Sequence, residues 1–252
     1  MTLKSQYPAI ESVARMKSLL YKKGEVILNN KIKLFVPTVG QVLDDEESYY
    51  NMASLITAMP IDVMVMLDDV GIDFTSINEY ELFIILFPQI AQMNTELFFA
   101  DMDLSKFTMT ISEQNGMPIL YDAEDDIVID RCIYEQITDF VRRINNFKKD
   151  IRKPGNEDGK KYMLEKARKK IKRLNRIGFS SSLEPLIVSM VNTEQFKYDF
   201  ERTRELSIYQ FNESVRQVIK KIDYDNRMHG VYAGTVNVKD LSHDDLNWLM
   251  HK

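Results

Sequence analysis

Between Leu206 and Met250 the chain carries its most regular spacing of apolar positions. Ile208, Phe211, Val215, Val218, Ile219 and Ile222 recur at helical steps, with one adjacent pair, so they share one face of an α-helix. Gln210, Asn212, Glu213, Arg216, Gln217, Lys220 and Lys221 fall between them as a solvated face. Gly230 is the expected stop, and Gly234 frees the backbone to reverse. Beyond that bend, Ser242 and Asp245 have the spacing of a capping box, with Asp in place of the usual Glu. They predict a short helix carrying Leu246, Leu249 and Trp248, the one tryptophan of the chain. A segment this apolar needs cover. It docks either on its own core or on a partner subunit, and in the second case Tyr232, Leu246, Trp248 and Leu249 are the contact residues. Self-docking is the preferred reading, because Tyr232 and the Phe211 face offer apolar surface nearby.

The remaining pattern predicts a helical bundle built around a hairpin. Ile10, Val13, Met16, Leu19 and Leu20 have helical spacing. Val26 and Leu28, then Ile32, Leu34 and Val36, alternate around Asn29-Asn30, a turn pair that tolerates positive φ, so Gly24 to Pro37 reads as a β-hairpin. Helical spacing returns at Tyr49, Met52, Ala53, Leu55 and Ile56, breaks at Pro60, and resumes at Val63, Met66, Leu67 and Val70. Ser76 and Glu79 predict a capped helix over Leu82 to Phe87, ended or kinked by Pro88, and Asn94 to Asp101 a further short one. Residues 106–130 change to a period of two around Asn115-Gly116, which predicts a small antiparallel sheet. Arg131 to Phe147 is helical again, with Ile133, Ile137, Phe140, Val141 and Ile144 inward. The expected fold is therefore mainly α, a helical bundle with a short N-terminal β-hairpin and a small antiparallel sheet in the middle (α+β).

Charge divides the chain further. Residues 1–147 carry 11 Lys or Arg against 23 Asp or Glu, residues 148–176 carry 13 against 4, and residues 177–252 carry 9 against 11. Proline, two glycines and mixed charge make 148–160 a linker between an acidic front region, 1–147, and a helical C-terminal region, 161–252. Leu164, Ala167, Ile171 and Leu174 form a narrow stripe in a segment otherwise dominated by Lys and Arg, with Lys169, Lys170, Lys172 and Arg173 as its basic surface. Such a segment suits an acidic protein surface, or, as the alternative, phosphate backbones. Against nucleic acid, only Tyr162 could stack a base, and the acidic front region repels a long polyanion.

Catalytic and metal patterns are weak. Gly155 to Lys161 imitates a phosphate loop but is one residue short between its glycines, holds two carboxylates, and has Lys161 where Ser or Thr would hold magnesium. Asp122, Glu124, Asp125, Asp126 and Asp130 miss the spacing of a calcium loop and read as a solvated hairpin edge. His229, His243 and His251 lack a second ligand at zinc spacing. Asp68 and Asp69 are expected on different helix faces. Cys132 reads as a small buried residue rather than a nucleophile, and a single cysteine suits a reducing compartment. No apolar run reaches membrane-spanning length, and MTLKSQYPAI has no signal-peptide pattern. These patterns imply no enzyme, cofactor, metal or membrane.

Three blocks resemble uncharacterised morphogenesis proteins of tailed phages, mostly of Gram-positive-type hosts. They are KIKLFVPTVGQVL (Lys31 to Leu43), IDVMVMLDDVGIDF with NEYELFIILF (Ile61 to Phe87), and LSIYQFNESVRQV with GVYAGTVNVKDLS and LNW (Leu206 to Trp248). The resemblance implies a non-enzymatic tail or baseplate protein, or an assembly chaperone. Its expected partners are other phage structural proteins and copies of itself. Its expected location is the host cytoplasm during assembly, with the virion as a second place. A nucleic-acid-associated protein using the basic helix 160–176 and an enzyme of unknown class are the alternatives.

Overall fold

The computed structural model describes residues 16–113, 115–243 and 245–249. The helix expected from Ile10 and Val13 lies outside them, apart from a 3-10 helix over Met16–Tyr21. The hairpin forms as β1 (Gly24–Ile27) and β2 (Lys33–Val36), with Gly24 opposite Val36 and Ile27 opposite Lys33. Asn29 closes its loop by accepting from the N–H groups of Lys31 and Ile32. Leu34 and Val36 point inward and are buried.

Helices α1 (Val39–Asp44) and α2 (Glu46–Ile56) follow directly. Thr38 starts α1 through a reciprocal capping box with Gln41, which satisfies two backbone donors at once. After Pro60 come α3 (Met64–Asp69) and α4 (Glu79–Ile90). The cap of α4 is not the expected Ser76–Glu79 pair. Asn78 and Glu81 make the box, and the Ser76 hydroxyl instead donates to the Asp73 carbonyl. Pro88 does not end α4, which runs on to Ile90. Helix α5 (Glu96–Phe99) covers β2 and stacks Phe98 on Tyr49, ring centroids 4.8 Å apart.

The middle sheet pairs β3 (Thr108–Ile111), β4 (Pro118–Asp122) and β5 (Ile127–Ile129) in antiparallel order. The Tyr80 hydroxyl of α4 donates to the Pro118 carbonyl at 2.8 Å and ties the sheet to the bundle. The acidic turn is not merely a solvated edge. Asp122 is buried and accepts from Glu124 N at 2.9 Å, Lys106 pairs with Glu124 at 2.8 Å, and Lys31 pairs with Asp126 at 2.6 Å. Asp130 caps α6 (Arg131–Asn145), whose Ile133, Ile137, Phe140, Val141 and Ile144 are all buried as expected. Cys132 is exposed rather than buried, because it lies one residue, about 100° of helical rotation, before the inward Ile133.

The remaining helices are α7 (Glu157–Ile177), α8 (Leu183–Val191), α9 (Phe200–Glu205) and α10 (Ile208–Tyr232). The linker is shorter than its composition predicts. Asn156 caps α7 by accepting from Gly159 N at 2.8 Å, so the phosphate-loop imitation is the first turn of a helix with Glu157 and Asp158 in it.

Residues on both sides of this linker share one hydrophobic core. Ile208 and Phe211 are fully buried, α10 packs on α6 and α1, and α9 packs on α1. Val39 N donates to the Leu206 carbonyl and Ile208 N to the Pro37 carbonyl, each at 2.8 Å. Ser207, completely buried, closes a third capping box with Gln210, and Thr38 and Ser207 are bridged directly opposite each other. The fold is thus α+β and mainly α, as the pattern predicts, with ten α-helices, a two-stranded and a three-stranded sheet among the described residues.

Candidate functional site

Two surfaces contain the residues singled out above, and they lie on different elements. The first is α7. Lys, Arg, Leu and Ala make it a strong helix former, and 21 residues give it a length of about 31 Å. Its first half is anchored. Lys160 reaches Asp73 at 2.6 Å and stands over the Phe74 ring, and Met163 and Leu164 pack against the core. Hydrogen bonds from Lys160 and Thr75 hold the Asp73 carboxyl down at about 2. Arg168 bonds Asp68 at 2.7 Å and Asp69 at 2.6 Å. The two aspartates therefore converge on one guanidinium, although adjacent helical positions suggested divergent faces.

Helix α3, about 9 Å long, runs antiparallel to α7: Asp68 and Asp69 at its C-terminal end meet Arg168, and Val65, a turn earlier, faces Ile171, Asn175 and Arg176 across an open groove. Ile171, Leu174 and Ile177 are 42%, 48% and 66% exposed, and Phe179, just after the left-handed Gly178 cap, is 52% exposed. Around them stand Lys169, Lys170, Lys172, Arg173 and Arg176, all exposed and, among the described residues, without ion-pair or hydrogen-bond partners. Between Lys166 and Ile177 there is no acidic residue.

The second surface is the end of the chain. Helix α10 passes through Gly230 and stops at Tyr232; the reversal is made by Gly234, with φ +73°. Gly230 serves a different purpose from the expected stop. A Cβ there would lie 2.7 Å from Val236 Cγ2, and the Gly230 carbonyl accepts from Thr235 N and Val236 N at 2.9 and 3.1 Å. Glycine lets the returning chain lie directly on the helix. Ser242 and Asp245 do exchange the hydrogen bonds of a capping box, but turns follow instead of the expected short helix.

The returning segment runs back along α10. Arg227 pairs with Asp245 at 2.7 Å, Gln217 Nε2 donates to the Trp248 carbonyl at 3.2 Å, and Lys221 Nζ lies 5.5 Å from the centre of the Trp248 ring. Trp248 is half-buried, while Leu246, Leu249 and Tyr232 are exposed. Tyr232 lies eleven or more helical residues, at least ~16 Å, from the Trp248 contacts, so these four side chains do not form one patch.

A cleft of about 380 Å³ lies where residues 149–154 pass α4, α6 and the segments 59–61 and 74–78, with Phe74, Tyr80 and Tyr134 among its lining. The carboxylates on its rim lean on basic neighbours: Glu79 on Arg142 and Lys149 at 3.0 and 3.3 Å, Glu135 on Arg131 at 3.0 Å, and Asp150 on Arg152. The Tyr134 hydroxyl is sealed beneath the surface, and burial raises its pKa well above the ordinary tyrosine value. Among the described residues, no three His, Cys, Asp or Glu side chains could hold a metal ion, and no helix is long and apolar enough to cross a membrane.

Fold and surfaces together define a mainly helical α+β protein that presents a basic helix with an uncovered apolar stripe. A family model described as "YomV second domain" matches residues 171–251, from the exposed half of α7 through α8, α9, α10 and the returning segment. YomV is a Bacillus phage-derived protein, and the match points to a phage-related family. No curated protein and no solved structure matches the chain.

Three capping boxes are absent from the reading of the sequence, although they carry a local signal. Thr38-x-x-Gln41, Asn78-x-x-Glu81 and Ser207-x-x-Gln210 all have the capping-box form. Glu46 carried none, because its partners Ser181, Ser182 and Leu183 lie far along the chain.

Proposed function

We propose that the chain is a non-enzymatic structural or assembly protein of a phage, acting through protein–protein contacts in tail or baseplate morphogenesis in the host cytoplasm. The observation that carries this reading is the outer half of α7. Four large apolar side chains sit exposed in a row, flanked by basic groups that the chain itself leaves unpaired. A contiguous apolar surface rimmed by charge is the usual form of a contact site. The match of residues 171–251 to the YomV second domain supports the phage setting. The tail or baseplate assignment rests on the resemblance of the three sequence blocks.

The unpaired cations also suit a phosphate backbone, which is the second reading. Two of the nine basic residues in 160–176, Lys160 and Arg168, are already engaged by aspartates, and the exposed stripe is mainly aliphatic and offers little for base stacking.

The test is a photo-crosslinking residue, p-benzoylphenylalanine, in place of Leu174 in the full chain, expressed together with the tail and baseplate proteins of a related phage. The expected result is a discrete adduct with one of those proteins. A nucleic-acid adduct would transfer the assignment to the second reading, and no adduct at all would remove this one.

A further inference from the structure

Resting on the reading of α7 as a contact surface, we infer that its outer half is the receptor for an acidic amphipathic α-helix of another protein, which lies along α7 beside α3. The chain shows how α7 accepts such a partner. Helix α3 lies antiparallel beside it with buried Leu67 and half-buried Met64 and Met66 turned to the core, and with Asp68 and Asp69 clamped by Arg168. One turn further on, the same chemistry is repeated without a partner: Ile171, Leu174 and Ile177 extend the apolar seam, and Lys172 and Arg176 continue the basic edge beyond Arg168. Val65 and Asp69 of α3 face Arg168, Ile171, Lys172, Asn175 and Arg176 across a shallow open groove, which marks where the incoming helix would lie against α3.

The charge pattern selects the sign of the partner. Lys166–Lys170, Arg168–Lys172, Lys169–Arg173 and Lys172–Arg176 are all like pairs at i,i+4, a spacing at which like charges weaken a helix and opposite charges strengthen it. An acidic helix alongside relieves that repulsion and pairs the free cations. A second copy of α7 would add to the repulsion. An anionic membrane surface or a long nucleic acid would have to approach a molecule whose first 147 residues hold 23 carboxylates against 11 cations.

The experiment uses the full-length protein and a fluorescent synthetic helix of about four turns with leucines in an a/d stripe and Glu flanking it. It adds a Gln-for-Glu version and a scrambled version that keeps the Glu content but breaks the stripe. Anisotropy titrations should show saturable binding of the Glu helix, weakened at least ten-fold in the Gln version, at least ten-fold by scrambling, and at least ten-fold by L174S/I177S in the protein. The double variant should keep its thermal midpoint, since both side chains are exposed; lysine-to-glutamine changes at Lys172 and Arg173→Gln give an independent second pair. Equal binding of the Gln helix, equal binding of the scrambled one, or no binding of any peptide each overturns the acidic-helix inference. A protein adduct at position 174 would still stand in that case, so the two readings fail separately.

Discussion

Glu46 is a carboxylate with 6% of its surface exposed that bridges the two ends of the chain. It sits in the first turn of α2 and accepts from Ser181 Oγ, from Ser182 N at 2.9 Å and from Leu183 N at 3.0 Å, so it caps α8 from outside. Burial alone would raise its pKa, but these donors outweigh burial and hold the carboxyl below its ordinary value of 4.5. A lowered folded-state pKa means that the ionised form stabilises the fold above the unfolded pKa, and that this contribution disappears as pH falls through the folded value. Glu46→Gln should therefore lower the urea-unfolding free energy by about 1–3 kcal/mol at neutral pH, with the difference from wild type closing below pH 4.5. A gap that stays constant into acid would assign the effect to packing instead. At this scale the sequence is legible only where partners are local. Asn115-Gly116 and the hairpin asparagines were readable because a turn is decided within four residues. Cys132 was misread from apolar neighbours in sequence that occupy another face of its helix. Gly230 was misread because its constraint comes from Val236 folding back on it.

Among elements, α7 separates what a pattern reveals from what it hides. The stripe of Leu164, Ala167, Ile171 and Leu174 is visible in the sequence, and the helix forms over it. How much of it is covered is set by how α3 lies beside α7, with Arg168 meeting two aspartates about 100 positions away, which no local window contains. The consequence is a helix with an inner half that serves the fold and an outer half that does not. Ile171→Ala and Leu174→Ala should each change the urea midpoint by no more than about 0.5 kcal/mol equivalent, as expected of exposed positions. Phe211→Ala, fully buried in α10, should cost about 3–5 kcal/mol. A large loss from the α7 substitutions would show that the stripe is covered within the folded chain. The returning segment tells the same story in reverse. The Ser242–Asp245 box was readable and closes, yet the docking of Trp248 on Gln217 and Lys221 occurs on the face that periodicity marks as solvated.

At the scale of the whole molecule, the charge boundary near residue 148 is not a packing boundary. Val39 and Leu206 share a backbone hydrogen bond, as do Pro37 and Ile208; Asn212 Nδ2 donates to the Ile144 carbonyl at 2.8 Å, and Arg204 reaches Asp44. The core runs through these contacts: Val36, Val39 and Ile144 on one side, Leu206, Ile208 and Phe211 on the other, every one of them buried. Cutting at 156 would expose both sets and leave the twin capping boxes at Thr38 and Ser207 facing water. Each large buried side chain so exposed is worth about 2–5 kcal/mol, while a domain's whole stability is about 5–15 kcal/mol. Neither half can absorb that loss. The full chain should unfold in one transition, with far-UV circular dichroism and the near-UV signal of buried Tyr49 and Tyr134 changing together. Fragments 1–156 and 157–252, made separately, should lack a cooperative melt, and so should 171–251, the part that the YomV second-domain model matches. Co-expression of 1–156 with 157–252 should recover the transition, because the covalent linker adds proximity but none of the contacts named here. A sharp melt of 157–252 alone would instead make the C-terminal part a self-standing unit and reduce the Thr38–Ser207 junction to a docking contact.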